Sequence, residues 1–371
     1  ERDLNEFMYK KLRNTEVINV YGMASNFRKI WNKARLKTLK LLSFSSKKGE
    51  AIQLLGKQTK LLINSLALGA AAILVMFGEL SLGAMIAAAM LMARTIAPVD
   101  GLTSSYSTWH LAKASIDRLE KLLTIKDVRK FDIEEPCIEL RLENVTVNSN
   151  LKDTPVLSDL SLSFKSGEIT VITGPSGSGK SMLIKTILGI NSNYEGNIFF
   201  NDKNAKELSD DFFSKQIGYL AQEVTMFQGT IAQNIARMGF VNSDEVVYAA
   251  RLMGIHRFIL KLSKGYDTII QSGTESLSGG ERQRIGVARA IYCQPSVVLL
   301  DEPNSSLDDR GEIAIINALK HIQKSNSLII LVTHRKSIIP ACDRVITLND
   351  GNLVSDQSID MWKAESKIAK N

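Results

Sequence analysis

At 371 residues, 44% hydrophobic and 23% charged, the chain is long enough for two domains and apolar enough to bury a core, which excludes bulk disorder. The formal charge of +7 is unevenly placed: residues 1–60 hold 14 Lys/Arg against 5 Asp/Glu, and beyond them acids slightly outnumber bases. The three cysteines, Cys137, Cys293 and Cys342, form no CxxC pair, which weighs against a disulfide framework or a zinc site and leaves buried, reduced thiols.

Residues 1–30 are charged and polar, with no apolar stretch ahead of a cleavage site, so no secretory signal is read there. The chain opens on Glu1 rather than Met, and its beginning is expected to be missing. Residues 1–60, rich in Lys, Leu, Asn and Arg and free of Pro, predict helix. Residues 61–78 (LLINSLALGAAAILVMFG) are uncharged and long enough for a membrane span. A second run, 80–93, is short alone and is completed by Arg94–Val99 if Arg94 faces a polar cavity or the interface. Gly78-Glu79-Leu80-Ser81 between them then reads as a turn outside the membrane. A basic block could touch nucleic acid or anionic lipid. Beside an apolar run it marks a cytoplasmic flank, and the Gly and Ala content suits helix packing in lipid better than a buried hairpin in a soluble protein.

Residues 102–125 predict an amphipathic helix, with Leu111, Ile116, Leu119, Leu122 and Leu123 on a helical period. Residues 126–137 form a charged linker. From 138 onward, short apolar runs (ITVITG, NIFF, IGYL, SVVLL, LIILVT) alternate with helical stretches. That pattern predicts an α/β domain with a largely parallel sheet.

Within that domain, residues 174–181 (GPSGSGKS) fit G-x-x-x-x-G-K-[ST] between a strand ending at Thr173 and a helix from Met182. Gly174, Pro175, Ser176, Gly177, Ser178 and Gly179 form the phosphate-cradling loop. Gly177 and Gly179 free backbone amides to face an anion, and the helix start adds its positive end. Lys180 is placed for the β- and γ-phosphates of ATP, and Ser181 for Mg2+. Residues 277–284 (LSGGERQR) open a second helix, where Ser278, Gly279 and Gly280 make another anion-binding start. Ser278 and Glu281 also fit an ordinary capping box, and the two readings coexist. The run VVLLDE at 297–302 marks a strand buried on both faces. Asp301 at its end is placed to hold Mg2+ through water, and Glu302 to act as general base.

In this order, GPSGSGKS, Gln222, LSGGE, VVLLDE and His334 resemble the ABC transporter nucleotide-binding domain over the last two thirds of the chain. The resemblance implies an α/β P-loop NTPase fold over 138–371, preceded by an all-α transmembrane fragment over 1–125, and an ATP hydrolase working as a homodimer. LSGGE of one copy would close over ATP held by the other copy's loop. Gln222 matches the residue that senses the γ-phosphate and Mg2+, Ser305-Ser306-Leu307-Asp308 the loop exchanged between copies, and His334 the histidine that contacts the γ-phosphate and supports Glu302. His110, His256 and His321 lack such context and are read as structural or surface residues. Two departures stand out. No aromatic ring lies in 141–155, where the family stacks adenine near Ser149, and SGTES ahead of LSGGE is less glycine-rich than usual.

FQGTIAQNI at 227–235 resembles exporter-type members. Residues 15–31 and 78–99 resemble the permease part of type I secretion exporters of the protease/lipase group. By that likeness residues 1–20 lie near a cytoplasmic elbow, about 22–77 and 80–124 are the last two of six membrane helices, and this chain alone forms no transport pathway. It also implies residence in a bacterial inner membrane with the ATP-binding domain cytoplasmic, a periplasmic adaptor, an outer-membrane channel, and an exported protein as cargo. Lipid, drug or peptide export is the alternative. A soluble ABC-type clamp on nucleic acid is opposed by residues 61–93, so no nucleic-acid partner is expected. A simple P-loop kinase gives LSGGE and His334 no task.

Overall fold

The computed structural model describes residues 15–123, 135–148, 154–191, 193–270 and 277–368. The chain divides into two units, Glu1–Lys126 and Asp127–Asn371. The expected linker lies outside the described residues up to 134, as do Ser149 and the SGTES stretch.

The first unit holds α1 (Thr15–Val20), α2 (Ala24–Met76) and α3 (Leu82–Leu123). α2 runs 53 residues, about 80 Å at 1.5 Å per residue. Its segment Gly56–Met76 is 21 residues long and apolar enough to cross a membrane. Leu61, Leu62, Leu66 and Ile73 on it are exposed. α2 ends on Gly78, whose φ of 77° lets its amide bond Val75 and the Glu79 amide bond Leu74, closing the helix with a left-handed cap. Ser81 then starts α3, its hydroxyl accepting from the Ala84 amide at 3.2 Å. The turn thus sits where the sequence puts it. The amphipathic stretch expected from 102 is continuous with the second apolar run, α3 passing through Pro98 and Gly101 without a break, as one helix over about 80–124 requires. The apolar part of α3, Leu82–Met92, is shorter than a full span.

In chain order the second unit contains β1 (Glu139–Val147), β2 (Leu157–Lys165), β3 (Ile169–Thr173), α4 (Lys180–Ile187), β4 (Glu195–Phe200), β5 (Lys203–Asn204), α5 (Asp210–Gln216) and β6 (Ile217–Leu220). There follow β7 (Gly229–Thr230), α6 (Ile231–Ile235), α7 (Ser243–Leu252), α8 (His256–Lys261), β8 (Ile269–Ile270), α9 (Gly279–Ile291) and β9 (Val297–Asp301). Last come α10 (Asp309–Lys324), β10 (Leu328–Val332), β11 (Arg344–Asn349), β12 (Asn352–Ser358) and α11 (Ile359–Ile368).

The main sheet has the order β12-β11-β3-β10-β9-β6 and is parallel except for β12. A second, antiparallel sheet, β2-β1-β4-β5, accompanies it. The sequence pattern predicts only the parallel one. Strands β9 and β10 show why short all-apolar runs belong in the middle. Val297, Leu299, Leu328, Ile330 and Val332 point into the core shared with Leu183, Ile184 and the second sheet. Val298, Leu300, Ile329 and Leu331 point into the core shared with Ile285, Ala288 and Ile315. Each face has its own partner, so neither face needs polar residues.

Register fixes what lies at the strand ends. Val332 pairs with both Ile172 and Asp301, and Leu300 with Leu220. The residues following β3, β6, β9 and β10 therefore emerge along one carboxyl edge, where open α/β sheets bind ligands. Arg237 secures the smaller helices to this frame. Its guanidinium donates to the carbonyls of Ser214, Ile217, Arg289 and Ala290.

Candidate functional site

At that edge, β3 feeds the 174–179 loop and α4. Gly174 has φ 146° and Gly179 φ 94°, and a Cβ on Gly174 would run into the Leu348 carbonyl. A Cβ on Gly179 would press on Leu157 at 2.5 Å and on the Val156 carbonyl at 2.9 Å. Both the handedness and the space exclude side chains there. Pro175, Ser176 and Gly177 form the exposed tip, while Ser178 and Lys180 are buried. Lys180 Nζ donates to Gly174 O at 2.9 Å, Pro175 O at 2.7 Å and Ser178 Oγ at 3.2 Å. Burial holds its ammonium below the usual lysine range, and the negative charges of Glu302 and Asp301 pull it partly back. Such a lysine exchanges neutral carbonyls for phosphate oxygens with a gain in charge pairing.

Across from it, Asp301 ends β9 with only 1% exposure. Apart from the Ser181 hydroxyl beside it, no described group bonds either of its carboxylate oxygens. Burial pushes its carboxyl above the usual range, offset in part by the Ser181 hydroxyl and by Lys185 and Lys180. An acceptor pair in the interior with only a hydroxyl beside it has the chemistry of a Mg2+ site. Asp301 and Ser181 would hold the ion, directly or through water.

Glu302 follows with φ 50°, a left-handed backbone rare for a non-glycine residue and typical of functional sites. Its amide donates to Val332 O at 2.8 Å. Its Oε1 lies 3.0 Å from His334 Nε2, so the imidazole N–H donates to the carboxylate. His334 is held by its neighbours. The Thr333 hydroxyl donates to Asn304 Oδ1 at 3.0 Å, and Asn304 Nδ2 to Glu312 Oε1 at 3.1 Å. Arg335 bonds Glu312 at 2.7 Å and the Ser305 carbonyl at 3.1 Å. Gln222, two residues beyond β6, is exposed at the same edge by the pairing of Leu220 with Leu300.

The Ser278 motif lies apart from this group. Ser278 Oγ accepts from the Glu281 amide at 3.3 Å, and Glu281 Oε2 from the Ser278 amide at 2.8 Å, so the capping box is formed. Gly279 and Gly280 abut Ser306 and Leu307. Asp308 caps α10 through the Gly311 amide at 2.9 Å and pairs with Arg284 at 2.8 Å. These contacts hold its carboxyl below the usual range, the Gly311 amide foremost. Among the described residues, no hydrogen bond or ion pair joins Ser278, Gly279, Gly280 or Asp308 to the 174–181 loop. His256 and His321 bond Tyr266 and Tyr248, consistent with structural roles.

The sequence assigns no role to Gln283, which bonds the Glu302 carbonyl, or to Asn304, Glu312, Thr333 and Arg335, which bond one another, Thr333 and Arg335 flanking His334 in the chain. They are common polar types, and although Gln283 falls within LSGGERQR, that motif does not point it at Glu302. Only the fold shows that Gln283 and Asn304 are 3% and 1% exposed.

The family model described as ABC transporter matches residues 157–305. The chain is 34% identical to the Type I secretion system ATP-binding protein PrsD of Rhizobium meliloti, over 94% of this chain and 60% of that protein. It is 31% identical to the Alpha-hemolysin translocation ATP-binding protein HlyB of Escherichia coli, over 95% and 50%. A solved structure of a bacterial Atm1-family ABC exporter with ATP bound superposes with a TM-score of 0.82 at 25% identity, covering 98% of this chain and 64% of that one. The chain thus spans half to three fifths of the curated relatives just named.

Proposed function

We propose that the chain is a member of the ABC transporter family, whose model matches residues 157–305, and that it is the ATP-hydrolysing end of a type I secretion exporter that joins a membrane part and an ATP-binding domain in one polypeptide, like the secretion proteins it resembles. The observation that carries the hydrolytic part is the Glu302–His334 pair at 3.0 Å, set beside the buried Asp301 carboxylate at the edge where the Lys180 loop opens.

In this reading the loop amides and Lys180 bind the phosphates of ATP, and Glu302 accepts a proton from the attacking water. His334 orients the Glu302 carboxylate and meets the γ-phosphate. Ser181 and Asp301 would hold Mg2+, which when bound would neutralise phosphate charge. Gln222 is placed to report on that group from the neighbouring strand. The Ser278-Gly279-Gly280 start of α9, free of any bond to its own loop, serves the ATP of a second copy. ATP binding favours the closed homodimer over the open one, and this difference in affinity drives transport.

Residues 15–123 then act as the membrane part. With Gly56–Met76 in the roughly 30 Å hydrocarbon layer, the 32 residues of α2 ahead of it extend about 48 Å farther, carrying the basic charge to the cytoplasmic side. The setting is a bacterial inner membrane. The partners are a periplasmic adaptor, an outer-membrane channel and an exported protein.

The test uses the full-length protein with Glu302→Gln. Hydrolysis is expected to fall to near background while ATP still brings two copies together, read as a disulfide between Ser176→Cys of one copy and Ser278→Cys of the other, with Cys293 replaced by Ser. Wild-type turnover in that variant, or the absence of an ATP-dependent crosslink, would defeat the proposal.

A further inference from the structure

Gln283 lies on the buried face of α9, one turn beyond Gly280. Its Nε2 donates to the Glu302 carbonyl at 2.9 Å, and its Oε1 accepts from Ser305 Oγ at 3.5 Å. The peptide units flanking Glu302 are therefore held on both sides, by β10 through the amide and by α9 through the carbonyl. The left-handed φ of 50° at Glu302 is a conformation that persists only when its surroundings enforce it. The next residue of the same helix, Arg284, grips Asp308, so α9 holds both ends of the 302–308 segment.

We infer that Gln283 is a positioning residue that ties the aim of the Glu302 carboxylate to the position of α9, linking hydrolysis in one copy to the nucleotide that the same helix meets in the other. The link rests on the homodimeric reading above. α9 is a 13-residue helix, stiff enough to move as one piece. A displacement of its first turn is delivered to the Glu302 carbonyl through one side chain. A tilt of the peptide redirects the carboxylate away from His334 and from the attacking water, and a misplacement of 1 Å at such a site lowers turnover on the order of a hundredfold.

Two variants of the full-length protein test this. Gln283→Met keeps length and loses both bonds; Gln283→Glu keeps volume and loses the donor. Both are expected to lower kcat about ten- to a hundredfold with the KM for ATP within about twofold, and to bring the Hill coefficient for ATP toward 1. Paired with Glu302→Gln, neither should lower the residual rate further, because Gln283 acts through Glu302; a merely structural residue would show its defect in either background. Unchanged kcat, or an added loss in the double variant, overturns the inference. If Gln283→Met melts too low to assay, Gln283→Glu carries the same comparison. The Ser176–Ser278 crosslink keeps the two ideas apart. Its absence in the Glu302→Gln parent sinks the dimer reading, whereas its presence with normal turnover in Gln283→Met sinks only the link.

Discussion

Replacing Asp301 by Asn should make the nucleotide-free protein more stable while disabling it. Both oxygens of the wild-type carboxylate are buried with no partner beyond the neighbouring Ser181 hydroxyl, and an unsatisfied buried group costs about 1–3 kcal/mol, more when it is charged. Asn keeps the shape, removes the charge, and turns an N–H toward the Ser181 hydroxyl that already neighbours the site. For a unit of this size, 1 kcal/mol moves Tm by about 2–4 °C, so the expected gain is roughly 2–12 °C. The pH dependence follows from the direction of the shift. Because the folded chain binds the Asp301 proton more tightly than the unfolded chain, wild-type stability falls as pH rises from the ordinary carboxyl range through the raised value. The gap between wild type and variant should therefore open across that interval and close below it. Adding Mg2+ with ATP reverses the order. Saturation at a hundred times Kd stabilises wild type by about 2.7 kcal/mol, and the variant, with half its cation site gone, by much less. Scanning calorimetry of the full chain in detergent, at several pH values with and without Mg-ATP, reads all of this. A variant that melts below wild type in the absence of nucleotide would refute the reasoning, as would equal Mg-ATP shifts in both proteins.

Gly174→Ala should abolish ATP binding and lower stability by about 1–3 kcal/mol, since both its φ and the Leu348 carbonyl oppose a Cβ. Gly177→Ala, with open space around it, should carry only the conformational term, and equal losses would contradict this account; nucleotide titration and melting separate them. Among the thiols, burial pushes Cys137 up to about 11 and Cys342 up to about 12, whereas Cys293 is exposed. A maleimide at pH 8 should mark Cys293 alone until the chain is denatured, as peptide mass mapping would show.

What was legible in the sequence was what periodicity and spacing encode. VVLL and LIILV announced strands with two apolar faces, and the fold buries every one of those side chains. GPSGSGKS needed strand, loop and helix in that order and has them. The capping box of Ser278 and Glu281 forms as their three-residue spacing allows. The antiparallel sheet was less visible, because β1 and β2 mix polar and apolar residues with shifts of register. Least visible was the support around Glu302. Asn304, Gln283 and Arg335 are ordinary polar letters, and their partners lie 8 to 30 residues away along the chain. Long-range pairing leaves no local mark, so the first ring of chemistry could be read while the ring that aims it could not.

The two-sided core of β9 and β10 also limits how this machine can work. A sheet center packed like a crystal on both faces has no slack for strands to slide, so Asp301, Glu302 and His334 ride on an immobile anvil. Whatever travels during a cycle must be either a torsion at the rim or the ATP-binding unit moving whole. If the rim hydrolyses ATP as proposed, the energy released there would leave as displacement of a rigid body rather than as internal deformation.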